Sequence, residues 1–288
     1  MKFNIMHITK FTRMIAAAAT LTLVALQSCT PTAETPIREI RTLNSDTTTP
    51  LVEHLEGSPV CHVKIDFKYL QPASADDSTA TVLNQELQSQ AFGADYSLCS
   101  PEEAIANAVA DYAENYRKDL KTAYEEAVKA GDDLESTAYM YSYEYELTSE
   151  LSTVRDSIYT YAISTYEYTG GANPNTFLHW TNLNARTGKA LKKADVFKSG
   201  CEDKLVSIIG THLVPIISER LDTDALTTLQ DLYDSNLLFD GPLQVPENFL
   251  ITPDGIRFLY NRYEIAPYAL GDLQVLVPYE EIEDWLSL

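Results

Sequence analysis

The sequence predicts an α+β protein with a mainly antiparallel sheet, packed helices and two lobes. Three observations carry this. Several runs alternate apolar and polar residues at period two, the mark of strands buried on one face. Residues 100–131 hold one long helical repeat with both of its ends signalled. The strand runs mostly follow one another along the chain, with helices between groups of strands. Composition agrees: of 288 residues, 45% are hydrophobic and 22% charged, the proportions of a folded globule rather than a disordered chain.

The first element is a targeting segment. Lys2, Lys10 and Arg13 make a positive head, and Ile15 to Leu26 is an apolar run of 12 residues. A bilayer span needs roughly 20, so this run fits a signal-peptide core instead. It ends in Leu26-Gln27-Ser28-Cys29, which resembles the bacterial lipobox. Residues 1–28 are therefore expected to be a lipoprotein signal peptide, with Cys29 the new first residue. Its thiol would carry diacylglycerol and its amino group a further acyl chain such as palmitate, which together anchor firmly. Removal of 1–28 takes away three basic and no acidic residues, moving the net charge from −21 to −24. Residues 29–58, with Thr30, Pro31, Thr32, Pro36, Thr47, Thr48, Thr49 and Pro50, read as an extended tether. Thr30 to Ala33 carries no acidic cluster, which favours a cell-envelope position on the outer membrane, facing the periplasm.

Val60–Leu70 is the first expected strand, with Cys61, Val63, Ile65, Phe67 and Tyr69 on its apolar face. Ser100 then caps a helix with Pro101 at its first position and Glu103 completing a capping box. Ile105, Val109, Tyr112, Tyr116, Leu120, Tyr124 and Val128 line one face of that helix, and Gly131 ends it. Thr137–Leu147 and Val154–Thr169 read as paired Tyr-rich strands, and Phe177–Asn184 as a third, closed by the turn Arg186-Thr187-Gly188-Lys189. Lys193–Phe197, Glu202–Leu221 and Leu226–Leu238 look helical, with Pro215 expected to kink or end the second. Phe249–Thr252 and Ile256–Tyr260 form a hairpin about Pro253-Asp254-Gly255, where Gly255 suits a positive φ. Gln274–Val277 is the last strand and Pro278–Trp285 the closing helix.

The acidic balance excludes nucleic acid as a partner, because phosphate binding needs a basic face. His54, His62, His179 and His212 stand apart from one another and from any Cys at zinc spacing. The chain lacks the GxSxG, P-loop, GxGxxG and HExxH patterns, so no catalytic residue, metal or cofactor is expected. A carboxylate pair acting on a glycosidic bond is assembled by folding, and such a hydrolase stands as the alternative class. Cys61 opens a strand and Cys99 precedes a capped helix, so in an oxidising compartment two readings stand: a Cys61–Cys99 disulfide with Cys201 left over, or three buried free thiols. The tyrosines allow two readings. Tyr139, Tyr141, Tyr143 and Tyr145 either pair over a helix or form an exposed platform for sugars or a protein.

Several motifs occur together. Tyr166-Glu-Tyr-Thr-Gly-Gly-Ala-Asn-Pro-Asn-Thr is followed by Asn182-Leu-Asn-Ala-Arg-Thr-Gly-Lys-Ala-Leu and Asp195-Val-Phe. Near the end stand Phe249-Leu-Ile-Thr-Pro-Asp-Gly-Ile, Tyr263-Glu-Ile-Ala-Pro-Tyr-Ala-Leu-Gly and Val277-Pro-Tyr. In combination these resemble the domain of unknown function 3298, which occurs in the extracytoplasmic part of the lysozyme-sensing anti-sigma factor RsiV. Residues 59–165 look like its usual companion, the PdaC-type domain of unknown function 4163, leaving 166–288 as the RsiV C-terminal-like part. The resemblance implies a binding protein of the cell envelope, with a basic lysozyme-like protein or peptidoglycan fragments as partners. That family commonly has His after Gly-Gly-Ala, where this chain has Asn173. The loop Gly170-Gly171 to Asn173-Pro174-Asn175 and the loop Tyr263–Gly271 are expected to frame one cleft. Asn173, Asn175, Tyr263 and Tyr268 are its candidate binding residues.

Overall fold

A computed structural model describes residues 36–132, 138–155 and 157–287. Residues 1–28 and Cys29 lie outside the described residues. Six strands form one sheet in the order of the chain: β1 (Glu39–Pro50), β2 (Val60–Gln71), β3 (Tyr143–Val154), β4 (Ile158–Tyr168), β5 (Asn175–Asn184) and β6 (Ala190–Leu191). Every neighbour pair is antiparallel except β2–β3. That parallel pair needs a long crossover. It is supplied by helices α1 (Ser78–Phe92) and α2 (Pro101–Ala130), which pack on one face of the sheet. The second part holds the short helix α3 (Lys193–Val196), then α4 (Glu202–Arg220) and α5 (Leu229–Asp234). A second sheet follows, β7 (Phe249–Ile251), β8 (Gly255–Tyr260) and β9 (Leu273–Pro278), and the chain closes with α6 (Tyr279–Ile282). The class is α+β, as expected. Its two hydrophobic cores, one under α1 and α2 and one around α4 and the three-stranded sheet, belong to a single unit spanning Thr35–Leu288.

The tether expected over 29–58 is corrected by β1. All 12 of its residues pair in register with β2, from Glu39 opposite Gln71 to Pro50 opposite Val60. Ile40 and Leu43 pack against the first core, while Thr42, Asn44, Asp46 and Thr48 face outward. Thr and its β-branched relatives suit a pleated, half-buried surface, so a Thr-rich run that looks like a linker makes a strand when a partner edge lies beside it. Arg38 bolts the start of β1 down. It is 6% exposed, its Nε and Nη2 each donate to Asp77 at 2.8 Å, and Nη1 donates to the Ala185 carbonyl at 3.0 Å. The boundary expected between 165 and 166 is corrected too, since it falls inside β4 and the sheet runs across it.

Helix α2 begins and ends where expected. Ser100 accepts from the Glu103 N–H at 3.2 Å, Glu103 accepts from the Ser100 N–H at 3.0 Å, and Gly131 closes the helix at φ 78°. Its tyrosines settle the two readings in favour of pairing over a helix. Tyr112 packs on Tyr145, Tyr116 on Tyr143 and Tyr124 on Tyr141, with ring centroids 4.9, 5.1 and 5.3 Å apart. Four residues advance a helix by about 6 Å and two advance a strand by about 6.6 Å. The first two contacts therefore stay in step, running in opposite directions, whereas Tyr124, eight residues beyond Tyr116, meets Tyr141 on the 3-10 turn that precedes β3. Tyr139, on the same 3-10 turn, lies outside the ladder and is exposed.

The Cys61–Cys99 bridge is also corrected: both thiols, like that of Cys201, are free. Cys61 sits opposite Tyr143, whose ring packs on Tyr116, about 22 Å along α2 from its first residue. Cys99 stands just before that first residue and donates its thiol to the Tyr96 carbonyl at 3.2 Å. A disulfide needs Cα atoms within about 7 Å. Burial instead pushes the Cys61 thiol up to about 11.

Other local expectations are adjusted by packing. Pro215 sits inside α4 without ending it, because Leu213, Val214 and Ile217 on either side are buried in the second core. The helix expected over Leu226–Leu238 is reduced to α5, capped by Thr228, which accepts from the Asp231 N–H at 3.2 Å. Gly255 is needed for space rather than for a positive φ, since a Cβ there would collide with the Val277 carbonyl of β9. Gly188 is constrained both ways: its φ is +74° and a Cβ would lie 2.7 Å from Val82 Cγ1 of α1. A helix absent from the expectations, α1, is capped by Asp77, which accepts from the Ala80 N–H at 3.1 Å.

Candidate functional site

The two sheets meet along the outer edge of β5, and asparagine amides make the junction. Past β6, which pairs only with Asn182 and Leu183, the outer edge of β5 has no strand paired to it among the described residues. Asn261, just after β8, accepts from the Leu178 N–H at 2.9 Å and donates to the Leu178 carbonyl at 2.9 Å. Asn248, just before β7, accepts from the Trp180 N–H at 2.6 Å and donates to the same Leu178 carbonyl at 2.9 Å. In return Asn182 of β5 donates to the Phe249 carbonyl at 2.9 Å and accepts from the Ile251 N–H at 2.8 Å. A primary amide carries one acceptor and two donors, so it reproduces a strand's pairing without a strand. Buried backbone groups left unpaired would be costly, which explains the choice of residue at all three positions.

Beside this seam lies a cleft of about 540 Å³, lined among others by Asn175, Phe177, His179, Glu247, Arg262 and Tyr263. Pleating puts Asn175, Phe177 and His179 on the same face of β5. Phe177 is 49% exposed and Tyr263 65% exposed, unusual for such large apolar rings. Tyr263 holds φ at 63° at the turn that follows β8, a conformation seldom adopted by a bulky side chain and one that turns up at functional positions. Its ring packs on that of Tyr268, with centroids 5.5 Å apart. The Arg262 guanidinium carbon stands 5.1 Å from the Tyr268 ring centre, and its Nη1 donates to the Tyr268 hydroxyl at 3.3 Å. Asp272 anchors the same arginine, 3.9 Å from its Nε.

The polar groups of the cleft are engaged from behind. His179 Nε2 lies 2.5 Å from Gln90 Oε1 of α1 and 3.1 Å from the Thr181 hydroxyl. Burial lowers its pKa, which favours the neutral ring. Glu247 is paired with Lys193 at 2.9 Å. Glu264 accepts from the Asn261 N–H at 2.8 Å. Each carboxylate therefore has its own partner. Among the described residues, no three His, Cys, Asp or Glu side chains converge as metal ligands would. No described helix is long and apolar enough to cross a membrane.

The structure thus brings Asn175 and Tyr263 into one cleft, with Tyr268 supporting Tyr263 from the side. Asn173 is exposed in the preceding loop and does not line it. Phe177, His179 and Arg262 were missed by the sequence reading. Phe177 and His179 fall within a strand already expected, but nothing local distinguishes a strand residue facing a cleft from one facing a core.

Residues 60–176 match the family model described as deacetylase PdaC, and residues 194–280 match the model described as protein of unknown function (DUF3298). The two-part layout expected from the motifs is present. No curated protein matches the chain. Among solved structures, it is similar to a member of the DUF3298 family from Bacteroides fragilis, at 27% identity and a TM-score of 0.77, covering 88% of this chain and 96% of that one. A DUF3298 family protein from Pseudomonas aeruginosa shares the fold at 16% identity and a TM-score of 0.55, with coverage of 88% and 96%.

Proposed function

We propose that this chain, a PdaC-type segment followed by a DUF3298 segment, is a lipid-anchored protein of the cell envelope that acts by binding, and that its cleft takes cell-wall glycan fragments. The observation that carries this reading is the pair of exposed rings, Phe177 and Tyr263, bounding a cleft whose two carboxylates are each engaged. Flat aromatic faces stack on sugar rings, Asn175 and Arg262 offer donors at the rim, and no pair of free carboxylates faces across the gap. The lipid anchor rests on the apolar run and the Leu26-to-Cys29 motif, and the outer-membrane, periplasm-facing position on the uncharged residues after Cys29. Titration calorimetry with soluble muropeptides tests the binding. The wild type should bind and Phe177→Ala with Tyr263→Ala should weaken binding by about tenfold or more, the scale of a hot-spot aromatic. Silence from the folded wild type would reject the glycan. Release of new reducing ends from peptidoglycan would instead favour the hydrolase.

The net charge of −21 favours a second reading, a basic partner of the lysozyme type. Opposite charge raises encounter rates and makes them salt-dependent, while affinity comes from a buried aromatic centre. Tyr263 and Tyr268, whose exposed rings pack on each other, are the anchors for that reading. Calorimetry with lysozyme at low and physiological salt decides it, and binding that survives Tyr263→Ala with Tyr268→Ala would remove these anchors.

A further inference from the structure

We propose that a notch between the α1–α2 corner and the first sheet is a separate binding site, and that it takes a small organic cation of the quaternary-ammonium class. The notch encloses about 180 Å³ and shares no residue with the cleft at the sheet junction. Four rings line it: Phe92 from the end of α1, Tyr96 from the corner, Tyr112 from α2 and Tyr145 from β3. Ile65 of β2 contributes to the floor, and Asp111 is exposed at the mouth. The rings are held in place. Tyr112 and Tyr145 pack on each other at 4.9 Å, Phe92 and Tyr96 meet edge-on at 6.5 Å, Tyr96 donates to Asp111 at 2.7 Å and Tyr112 donates to Glu167 at 2.8 Å.

Aromatic faces carry negative charge density, and several rings around one volume form the kind of cage that recognises a tetraalkylammonium head. A cavity of roughly 150 Å³ holds a six-membered ring, so this notch accommodates a trimethylammonium group with a short tail. The charge is complementary. Asp111 supplies the counter-ion, and no Lys or Arg lines the notch. A ligand carrying its own phosphate or carboxylate would meet Asp111 without a compensating cation. The class is therefore a free organic cation rather than a zwitterionic lipid headgroup.

The test titrates choline into the full folded protein, followed by calorimetry and by shifts in the tyrosine resonances. The arms are phosphocholine and 3,3-dimethylbutan-1-ol, the neutral carbon isostere of choline. Choline should bind about tenfold tighter than either, and Asp111→Asn should weaken choline severalfold without changing the melting temperature. Absence of choline binding, or equal binding of the neutral isostere, would overturn the site. Equal binding of phosphocholine would overturn the ligand class, and an unchanged affinity in Asp111→Asn would overturn the counter-ion.

Discussion

Single residues carry several of the long-range ties in this molecule, and Asp77 is one of them. It takes two bonds from Arg38, caps α1 through the Ala80 N–H and accepts from the Ala73 N–H at 3.0 Å, so it joins β1, the β2–α1 loop and α1 at one point. Bonds from the Arg38 guanidinium hold its pKa well below the usual range, at about 2, against the opposing effect of desolvation. A folded value below the unfolded one of about 3.9 means the contribution is complete above pH 4 and is lost as pH falls towards 2. Acid unfolding in that window should therefore be shallower in Asp77→Asn than in the wild type. At pH 7 the same substitution should cost about 3 kcal/mol or more in urea denaturation, since Arg38 would be left buried without its counter-charge. The cysteines make a second check. Iodoacetamide on the native protein should label Cys99 well ahead of Cys61, whose buried thiol stays protonated, and urea should abolish the difference.

Among the elements, the α2–β3 interface shows how far periodicity alone can be trusted. The helical face of α2 was legible because its apolar spacing, capping box and terminal glycine all agree. Which surface it meets was not, since Tyr at period two suits either an exposed platform or a helix-covered face. Packing decides: Tyr116 is fully buried and its hydroxyl donates to the Tyr141 carbonyl at 2.8 Å. Tyr116→Phe should cost about 1 kcal/mol for the lost bond, Tyr116→Ala about 3 to 5 for the cavity, and Tyr139→Ala under about 0.5. Equal effects at Tyr116 and Tyr139 in thermal melts would contradict the ladder. The edge strand offers a sharper contrast with the sequence reading. A chain starting at Pro59 would leave the long edge of β2 unpaired, so it should aggregate or melt well below the full chain. A tether could be removed without such loss.

For the whole molecule, the decisive feature is that one sheet spans both family segments and the second sheet docks on its edge through asparagine amides. The amides of Asn182, Asn248 and Asn261 act in place of missing ladder bonds. Asn248→Asp keeps the shape but replaces a donor with a second acceptor facing the Leu178 carbonyl, and should destabilise by about 2 kcal/mol in urea denaturation. Because the seam forms one wall of the cleft, the same variant should weaken any ligand bound there even where the fold survives.

The sequence by itself determined the class, the capped helix, most strands and the two-part layout, because each is written in local periodicity, capping chemistry or contiguous motifs. It also placed Asn175 and Tyr263 in loops expected to face one another. Only the tertiary structure decided that the Thr-rich run before residue 58 is a strand, that Cys61 and Cys99 stay apart, and that Phe177, His179 and Arg262 complete the cleft. A strand's pairing depends on whether an unpaired edge lies beside it, a disulfide on where two distant residues come to rest, and a cleft on which side chains packing leaves uncovered. Those are properties of neighbours far away along the chain, and local sequence does not encode them in any window that can be read alone.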